Sequence, residues 1–311
     1  MRRVLILNQF YLKKTVTSFP GYEISYLMLF REIPAFLKGI RFLHQFLQLP
    51  FFNIWYIRNW NEVFRGYDLI ILHDSPIMHV NYFIKKITAN TDSDTRLVLY
   101  YWNSIYDLEY LKLNKRWEIV SFDYQDASNN KLRYVGGFFI PDKVKKTKTD
   151  TDLFFVGTNK GRFLFLQNLE KILRKHQLKT KFFLVSKKHY FDKKFSPAIP
   201  YKEVLNWIER SKAIVEIAKP NQFGLTLRAY EAIFYNKKLV SNNQNLRSYD
   251  FYDPEKIYIL ENTPKDAQNI AEFLKDEEIK YSEEIVQRYS FESFIIRIDN
   301  NITLHNVTLP K

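Results

Sequence analysis

The residues best suited to chemistry lie in one stretch that joins a predicted strand to a predicted helix. Gly224 would let this loop expose backbone N–H groups at the start of the helix, where the helix dipole favours a phosphate. Thr226 could cap the helix and offer its hydroxyl to a phosphate, and Arg228 supplies a forked cation that suits a diphosphate. Glu231, about one helical turn further on, could accept two hydrogen bonds from ribose hydroxyls. The alternative is that Thr226 only caps the helix and that Glu231 is a surface charge.

A second loop of this kind follows the predicted strand at residues 152–156. Gly157 and Gly161 would allow a ligand to approach the backbone closely, and Lys160 and Arg162 add positive charge. The sequence does not choose between the two cations. Because the G-K-[ST] ending is absent, this is not a Walker-type phosphate loop.

Further candidates end predicted strands in the first half of the chain. The imidazole of His73 could be the general base for an acceptor hydroxyl, or it could be only a hydrogen-bonded capping group. Asn103, which follows Tyr101 and Trp102, offers an amide beside an aromatic face that suits a sugar or a base, although core aromatics look the same. Asp123 is a weaker candidate of the same type.

Metal and cofactor sites are not expected. The chain has no cysteine, and its six histidines are scattered. Asp92 and Asp94 form a D-x-D pattern, but they precede a predicted strand, which indicates a turn. No G-x-G-x-x-G follows Leu7, and this argues against a dinucleotide enzyme.

The elements that must position these residues alternate between strand and helix. In the first half, strands are predicted at residues 3–7, 53–57, 67–72, 96–102, 117–122 and 136–140, and helices at 22–47 (broken near Pro34), 76–89 and 104–114. In the second half, strands are predicted at 152–156, 181–185, 213–217, 238–241 and 257–260, and helices at 163–176, 201–210, 226–234, 264–274 and 282–298. This alternation is typical of doubly wound parallel sheets and predicts an α/β protein of two Rossmann-like domains.

Composition places the domain boundary at residues 141–151, which are rich in Lys, Thr and Asp and almost free of apolar side chains. The predicted domains are residues 1–145 and 146–280, followed by a helix and tail at 281–311. Tandem units of this type favour a ligand in the cleft between them, at the carboxyl ends of the strands.

The chain carries a net charge of +13, which would suit nucleic acid, an anionic membrane surface or phosphorylated small molecules. Its lysines are scattered, so nucleic acid is not the expected partner. No run resembles a signal peptide or a membrane span, so we expect a cytoplasmic protein that could work at the inner face of the membrane. Helices at residues 22–60, with basic and aromatic side chains, could make a peripheral contact with an anionic membrane, unless these aromatics are core.

The pattern G-x-T-x-R-x-x-E-A at residues 224–232, followed by a K-K-L-V strand, resembles the donor-binding element of GT-B glycosyltransferases. The similarity is greatest to the bacterial capsule, exopolysaccharide and lipopolysaccharide type, and it covers about residues 151–245. It implies a metal-independent enzyme that moves a sugar from a nucleotide-sugar donor to a glycan or lipid-linked acceptor in surface polysaccharide synthesis. Residues 1–145 would then be the acceptor side, and a C-terminal helix containing Tyr289, Phe291 and Phe294 would cross back to this domain.

The same resemblance implies a role for each site residue. Glu231 would hold the nucleotide ribose, and the diphosphate would lie on the loop residues Gly224, Thr226 and Arg228. In the loop at Gly157, one of the two cations would stabilise the departing nucleoside diphosphate.

One departure from the family pattern concerns the donor sugar. Many retaining members carry two glutamates separated by seven residues, and Phe223 stands where the first would be. The adjacent Gln222 could supply polar contacts to the sugar instead. Gly21 and Glu23 are predicted to follow the first strand, where acceptors and phosphates often bind in this fold.

Two other functions stay open. A nucleotide-sugar or nucleic-acid binding protein without catalysis would fit the positive charge and the missing glutamate. Another enzyme with two Rossmann-like domains, such as a sugar epimerase, would fit the predicted fold.

Overall fold

The computed structural model describes residues 1–8, 16–47, 49–74, 79–105, 115–218, 223–263, 265–275 and 278–308. The chain forms two compact units. Unit 1 comprises Met1–Val135 and Asp299–Thr303, and unit 2 comprises Gly136–Ile298 and Leu304–Lys311. Within the described ranges, no helix is both long enough and apolar enough to span a bilayer.

Unit 1 is built on one sheet of seven described strands. In chain order these are β1 (Arg2–Leu7), β2 (Ser18–Phe19), β3 (Tyr22–Leu27), β4 (Leu69–His73), β5 (Arg96–Tyr101), β6 (Trp117–Ser121) and β7 (Arg133–Tyr134). The order across the sheet is β2-β3-β1-β4-β5-β6-β7, and the described pairings are parallel apart from β2 with β3. Every residue of β4 is buried, as is typical of a central parallel strand covered on both faces.

The described helices of unit 1 are α1 (Ala35–Phe46), α2 (Trp60–Val63), α3 (Val80–Asn90) and α4 (Tyr124–Asn129). The α3 helix packs Phe83, Ile84 and Ile87 into a core with Ile70 and Leu97 of the sheet. The α1 helix differs, because none of its residues is buried.

Unit 2 contains a five-stranded parallel sheet in the order β12-β11-β10-β8-β9. Its strands are β8 (Thr151–Thr158), β9 (Thr180–Val185), β10 (Ser211–Glu216), β11 (Lys238–Ser241) and β12 (Ile257–Ile259). Its helices are α5 (Phe163–Lys175), α6 (Tyr201–Arg210), α7 (Leu227–Phe234), α8 (Asp266–Phe273), α9 (Glu283–Arg288) and α10 (Phe291–Asp299).

Successive residues along the central strands of unit 2 point into different cores. Phe154 and Ile214 pack with residues of α6 and α7, whereas Leu153, Phe155 and Val215 pack with residues of α5 and α8. The sheet is therefore covered by helices on both faces. The predicted fold class, α/β with two Rossmann-like domains, is confirmed.

Three predicted elements are wrong. Residues 22–27 form β3 instead of the start of a helix, because they pair with β1 along its whole length. The segment Phe52–Trp55 is a 3₁₀ turn and not a strand. Residues 136–140 lie outside the sheet, where Phe139 makes an isolated bridge to Ser290. Most of the predicted helix at 104–114 lies outside the described residues.

The units divide between Val135 and Gly136, upstream of the predicted boundary at residue 145. The reason lies in aromatic packing within unit 2. The ring of Phe138 lies 5.2 Å from that of Phe291 and 4.4 Å from that of Phe294, between centroids.

Unit 1 includes a short segment from the end of the chain, Asp299–Thr303. The carboxylate of Asp299 accepts hydrogen bonds from Arg2 at 2.7 Å and from the Tyr22 hydroxyl at 2.9 Å. Its backbone carbonyl accepts one from Arg96 at 2.6 Å. These donors stand at the amino ends of β1, β3 and β5, so the segment closes that edge of the sheet.

We expect Gly137→Ala to lower the free energy of unfolding by about 1–3 kcal/mol, the usual cost of overpacking. A Cβ at Gly137 would overlap the hydroxyl of the buried Tyr230 and lie 3.0 Å from its Cζ. The matched control is Gly39→Ala in the exposed α1, where nothing lies within 4 Å of the added atom. It should raise helix stability by about 0.5–1 kcal/mol. Urea denaturation measures both, and a Gly137→Ala protein as stable as wild type would contradict this packing.

Candidate functional site

The carboxyl edge of the unit 2 sheet carries a buried carboxylate. Glu216 is the last residue of β10 and is 1% exposed. Ser241, its partner in register at the end of β11, donates its hydroxyl to Glu216 Oε2 at 2.6 Å. The Thr226 hydroxyl donates to Oε1. Sequence reasoning missed Glu216, although an acid inside the otherwise apolar strand A-I-V-E-I is a visible signal.

The same threonine fixes the start of α7. Thr226 Oγ1 accepts a hydrogen bond from the N–H of Arg228 at 3.1 Å, so Thr226 caps the helix as predicted. Because its hydroxyl proton goes to Glu216, this side chain also joins the helix to the strand end. Gly224 is buried in the loop before the cap, and Gln222 lies outside the described residues.

Glu231 is fully buried on α7, so it is not a surface charge. Its Oε1 accepts a hydrogen bond from the Tyr201 hydroxyl at 2.9 Å, and its Oε2 forms an ion pair with Arg228. A ribose could therefore reach the carboxylate only if Tyr201 or Arg228 moved. Sequence reasoning missed Tyr201, which belongs to no motif and meets Glu231 only through the packing of α6 on α7.

Arg162 folds back over the end of β8. Its Nε donates to the carbonyl of Thr158 at 3.0 Å, and its Nη1 donates to the carbonyl of Ile217, just past β10. At Gly157, an added Cβ would lie 3.1 Å from Cζ of the buried Phe155, so the side chain that limits space there is Phe155. Lys160 is exposed at the tip of the turn, with a φ of 39°. The structure thus ties Arg162 to the segment just past β10.

The charges at this edge act on one another. Burial raises the pKa of Glu216, and the hydroxyls of Ser241 and Thr226, together with Arg228, oppose that rise. Burial lowers the pKa of Arg162, an effect that Glu216 opposes and Arg228 reinforces. The two arginines are therefore near enough to repel each other. A bound diphosphate would offset this repulsion and accept hydrogen bonds from both guanidinium groups.

Burial also governs the pKa of Glu231. It raises the pKa of this carboxyl group, and attraction from Arg228 opposes the rise. Glu231 in turn contributes to raising the pKa of the Tyr201 hydroxyl, for which burial is the larger cause. Tyr201 therefore stays protonated at neutral pH and can keep donating its hydrogen bond.

In unit 1, the predicted base His73 ends β4 and is buried. Its ring meets that of Tyr100 edge-on, with 5.0 Å between centroids, and Trp102 lies 6.4 Å away. Burial lowers the pKa of His73 to about 3, so the imidazole is neutral at physiological pH. A group with so low a pKa is a weak base for a hydroxyl proton.

The next residue, Asp74, is a better-placed titratable group, and sequence reasoning missed it as a candidate. Asp74 is 1% exposed. Asn103 Nδ2 donates to its two oxygens at 3.0 and 3.2 Å, and the N–H of Trp102 donates at 3.3 Å. Burial raises the pKa of Asp74 to about 6, and these hydrogen bonds oppose the rise. A carboxyl group of that pKa at a strand end can exchange a proton near neutral pH.

Two other candidates have local structural roles. Asp123 caps α4, because Oδ1 accepts from the N–H groups of the next turn at 2.8 and 3.1 Å. Asp92 lies in a turn, as predicted, and accepts a hydrogen bond from the N–H of Gly66 at 2.8 Å. In the part of the chain that the structure describes, no group of three or more His, Asp or Glu side chains could hold a metal ion.

The predicted position of Gly21 and Glu23 is wrong. Glu23 pairs in register with Arg3 near the amino end of β1, and its carboxylate lies 3.7 Å from that guanidinium. These residues therefore stand at the edge opposite the one where the strands end and ligands bind in such sheets. The cause is the mistaken helix, since β3 begins at Tyr22.

No family model matches this chain, and no curated protein sequence matches it. A structure of TarM is 14% identical, with a TM-score of 0.46, over 75% of this chain and 54% of TarM, so the chain spans about half of that protein. A DNA-modifying β-glucosyltransferase, studied with and without uridine diphosphoglucose, is 14% identical, with a TM-score of 0.46, over 96% of this chain and 95% of that one. A UDP-GlcNAc 2-epimerase from Methanocaldococcus jannaschii is 11% identical, with a TM-score of 0.41, over 97% and 100%. Similarities at this level assign no activity to the chain.

The pKa of Asp74 predicts a pH-dependent stability difference. The carboxyl pKa is about 6 in the folded state against 3.8 in the ordinary group, so the folded state binds the proton more tightly. The protonated Asp74 therefore contributes to the free energy of unfolding below about pH 4. This contribution, up to about 3 kcal/mol, is lost as the pH rises through 6 and the buried carboxyl group loses its proton. We therefore expect Asp74→Asn to gain stability relative to wild type between pH 4 and 7.

Denaturation at a series of pH values measures this difference. Asp94→Asn, in an exposed turn, is the matched control and should show no such trend. A difference between Asp74→Asn and wild type that stays constant over this pH range would contradict the burial of Asp74.

Proposed function

We propose that this protein is a glycosyltransferase of the GT-B type that takes a sugar from a nucleotide-sugar donor bound at the carboxyl edge of the unit 2 sheet. One observation carries the proposal. Arg162, in the turn after β8, donates to the carbonyl just past β10, and Arg228 lies in the first turn of α7, whose cap Thr226 bonds to Glu216 at the end of β10. Two forked cations at a helix start suit a diphosphate better than any other common ligand group.

In this reaction the bond between the anomeric carbon and the diphosphate oxygen breaks, and its electron pair stays on the diphosphate. The acceptor hydroxyl oxygen bonds to the anomeric carbon, and its proton passes to a base. The negative charge that grows on the diphosphate is met by Arg162, Arg228 and backbone N–H groups. We expect activity without a metal, since these cations would take the role of one.

The contacts of Glu231 suggest a positioning role in this scheme. Its Oε2 forms an ion pair with Arg228, and its Oε1 accepts a hydrogen bond from the Tyr201 hydroxyl. The resemblance to the family assigns it a ribose contact, which would require Tyr201 to swing away. Tyr201→Phe separates the two roles, because it frees one oxygen of Glu231 for ribose. Tighter nucleotide binding by Tyr201→Phe would favour the ribose contact, and weaker binding would favour positioning.

For the base we propose Asp74, on the acceptor unit, because its pKa of about 6 suits proton transfer near neutral pH. Asn103 would orient its carboxylate. His73, which the sequence predicts for this role, is the alternative base. The two are compared by His73→Gln and Asp74→Asn, of which the second should cause the larger loss of kcat.

The acceptor and setting follow from the family resemblance alone. The proposed acceptor is a glycan or a lipid-linked acceptor, and the proposed setting is surface polysaccharide synthesis at the cytoplasmic face of a membrane. The net charge of +13 suits both an anionic donor and an anionic membrane surface.

Nucleotide binding and turnover test the function. Among UDP, GDP, dTDP and CMP, at least one should raise the melting temperature by mass action, and sugar transfer should persist in excess EDTA. Turnover lost in EDTA and restored by Mn²⁺ or Mg²⁺ would contradict the metal-free mechanism. Nucleotide binding without transfer would indicate a binding protein. Absence of nucleotide binding, with steeply salt-dependent affinity for nucleic acid, would contradict the proposal.

Substitution of the cations tests the leaving-group step. We expect Arg162→Gln to lower kcat by ~100-fold or more, with a smaller change in KM, because the charge develops in the transition state. Lys160→Gln, two residues away at the exposed tip of the same turn, is the matched control and should cost little. Circular dichroism checks that both variants fold. A larger loss in Lys160→Gln than in Arg162→Gln would reverse the assignment.

A further inference from the structure

The helix α1 packs with its more polar side toward the protein and its apolar side toward solvent. Its partly buried side is formed by Leu37, Arg41, His44 and Gln45, three of which are polar. Its apolar side faces solvent and continues into the following turn. The exposed apolar residues, here called the α1 face, are Phe36, Ile40, Phe42, Leu43, Phe46, Leu47, Leu49, Phe51 and Ile54.

This orientation is held by specific contacts. The Trp55 indole N–H donates to His44 Nδ1 at 3.0 Å, and His44 Nε2 lies 2.8 Å from the carbonyl of Pro50. The Arg41 guanidinium lies 5.0 Å from the centre of the Phe30 ring. The polar side of α1 therefore packs on neighbouring residues of unit 1, and its apolar side is left facing solvent.

The size of the exposed side chains makes the α1 face unusual for a protein surface. Its four phenylalanines are between 70% and 78% exposed, and Phe42 and Phe46 stack with 6.4 Å between ring centres. Contiguous apolar surface of this extent marks a contact site in folded proteins.

A cationic pocket of about 540 Å³ opens beside the helix. Arg31, Lys38 and Arg41 contribute to its lining, and Glu32 is the one acidic residue among the described lining residues. Arg31 also donates a hydrogen bond to the carbonyl of Ile54, which ties the pocket to the end of the α1 face. Apolar side chains thus lie next to several cations, as in helices that rest in the interface of an anionic membrane.

Charge decides between a membrane and a second copy of the chain. Residues 31–58 contain four Lys or Arg and one Glu, and the whole chain carries +13. A symmetric dimer through the α1 face would set two such cationic patches against each other, whereas an anionic membrane would attract them.

We propose that the α1 face inserts into the surface of an anionic phospholipid membrane and that the adjoining pocket receives the phosphate of a lipid headgroup. The site deepens the proposed function by naming the surface that would meet a membrane-bound acceptor. The docking itself does not depend on sugar transfer, so the two can fail separately.

Sedimentation with phosphatidylcholine vesicles, with and without phosphatidylglycerol, tests the proposal. The wild-type protein should bind the anionic vesicles, more weakly at high salt and far less to neutral ones. Phe36→Ser with Phe46→Ser should reduce the partition coefficient at least ~10-fold, because two large apolar groups no longer leave water. The matched control is Leu164→Ser with Phe191→Ser, two residues of unit 2 that are 68% and 95% exposed, and it should bind as wild type does.

The pocket is tested by Arg31→Gln and Lys38→Gln, each of which should reduce binding to anionic vesicles by about 5-fold, against Lys148→Gln as control. No binding to anionic vesicles at low salt, equal binding to neutral vesicles, or unchanged binding of the Phe36→Ser, Phe46→Ser protein would overturn the proposal. So would a wild-type dimer, seen by sedimentation velocity, that this double variant dissociates. The melting-temperature shift with nucleotide, measured on the same variants, reports separately on the donor site.

Discussion

One buried carboxylate, Glu216, joins three elements at the carboxyl edge of the unit 2 sheet. A charged group at 1% exposure is stable only with hydrogen-bond partners, and Glu216 finds them on two other elements, at Ser241 and Thr226. This requirement fixes the end of β11 and the start of α7 against β10. The carbonyl just after β10 then holds Arg162. In the proposed reaction, Arg162 would thus be in place before the donor binds, which is the condition for effective electrostatic catalysis.

Much of the fold could be read from the sequence, because most parallel strands are apolar runs bounded by polar residues. The pattern predicts the strand β4 in this way, and the alternation of strands with helices predicts a parallel sheet in each half of the chain. The strand β3 is not predicted, since Tyr22–Leu27 precedes residues with helical periodicity and is interpreted as the start of that helix. Its strand character comes from pairing with β1, a long-range contact that no local pattern encodes.

The site was predictable where it is local and unpredictable where it depends on packing. The loops at Gly157 and Gly224 follow from the succession of strand, glycine and helix. Glu231 accepts a hydrogen bond from Tyr201, 30 residues earlier, and Asp74 accepts one from Asn103, 29 residues later. The helix α1 shows the same limit. An apolar stripe ordinarily predicts a buried face, and only the contacts of its polar side with unit 1 show that this one faces outward.

The segment Asp299–Thr303 has a consequence for how the protein is made. Arg2, Tyr22 and Arg96 of unit 1 all bond to Asp299, which the ribosome adds about two hundred residues after Arg96. Unit 1 therefore cannot close the amino edge of its sheet until Asp299 has been synthesised. The segment Asp299–Thr303 thus makes the completion of unit 1 depend on the synthesis of residues 136–298, which belong to unit 2.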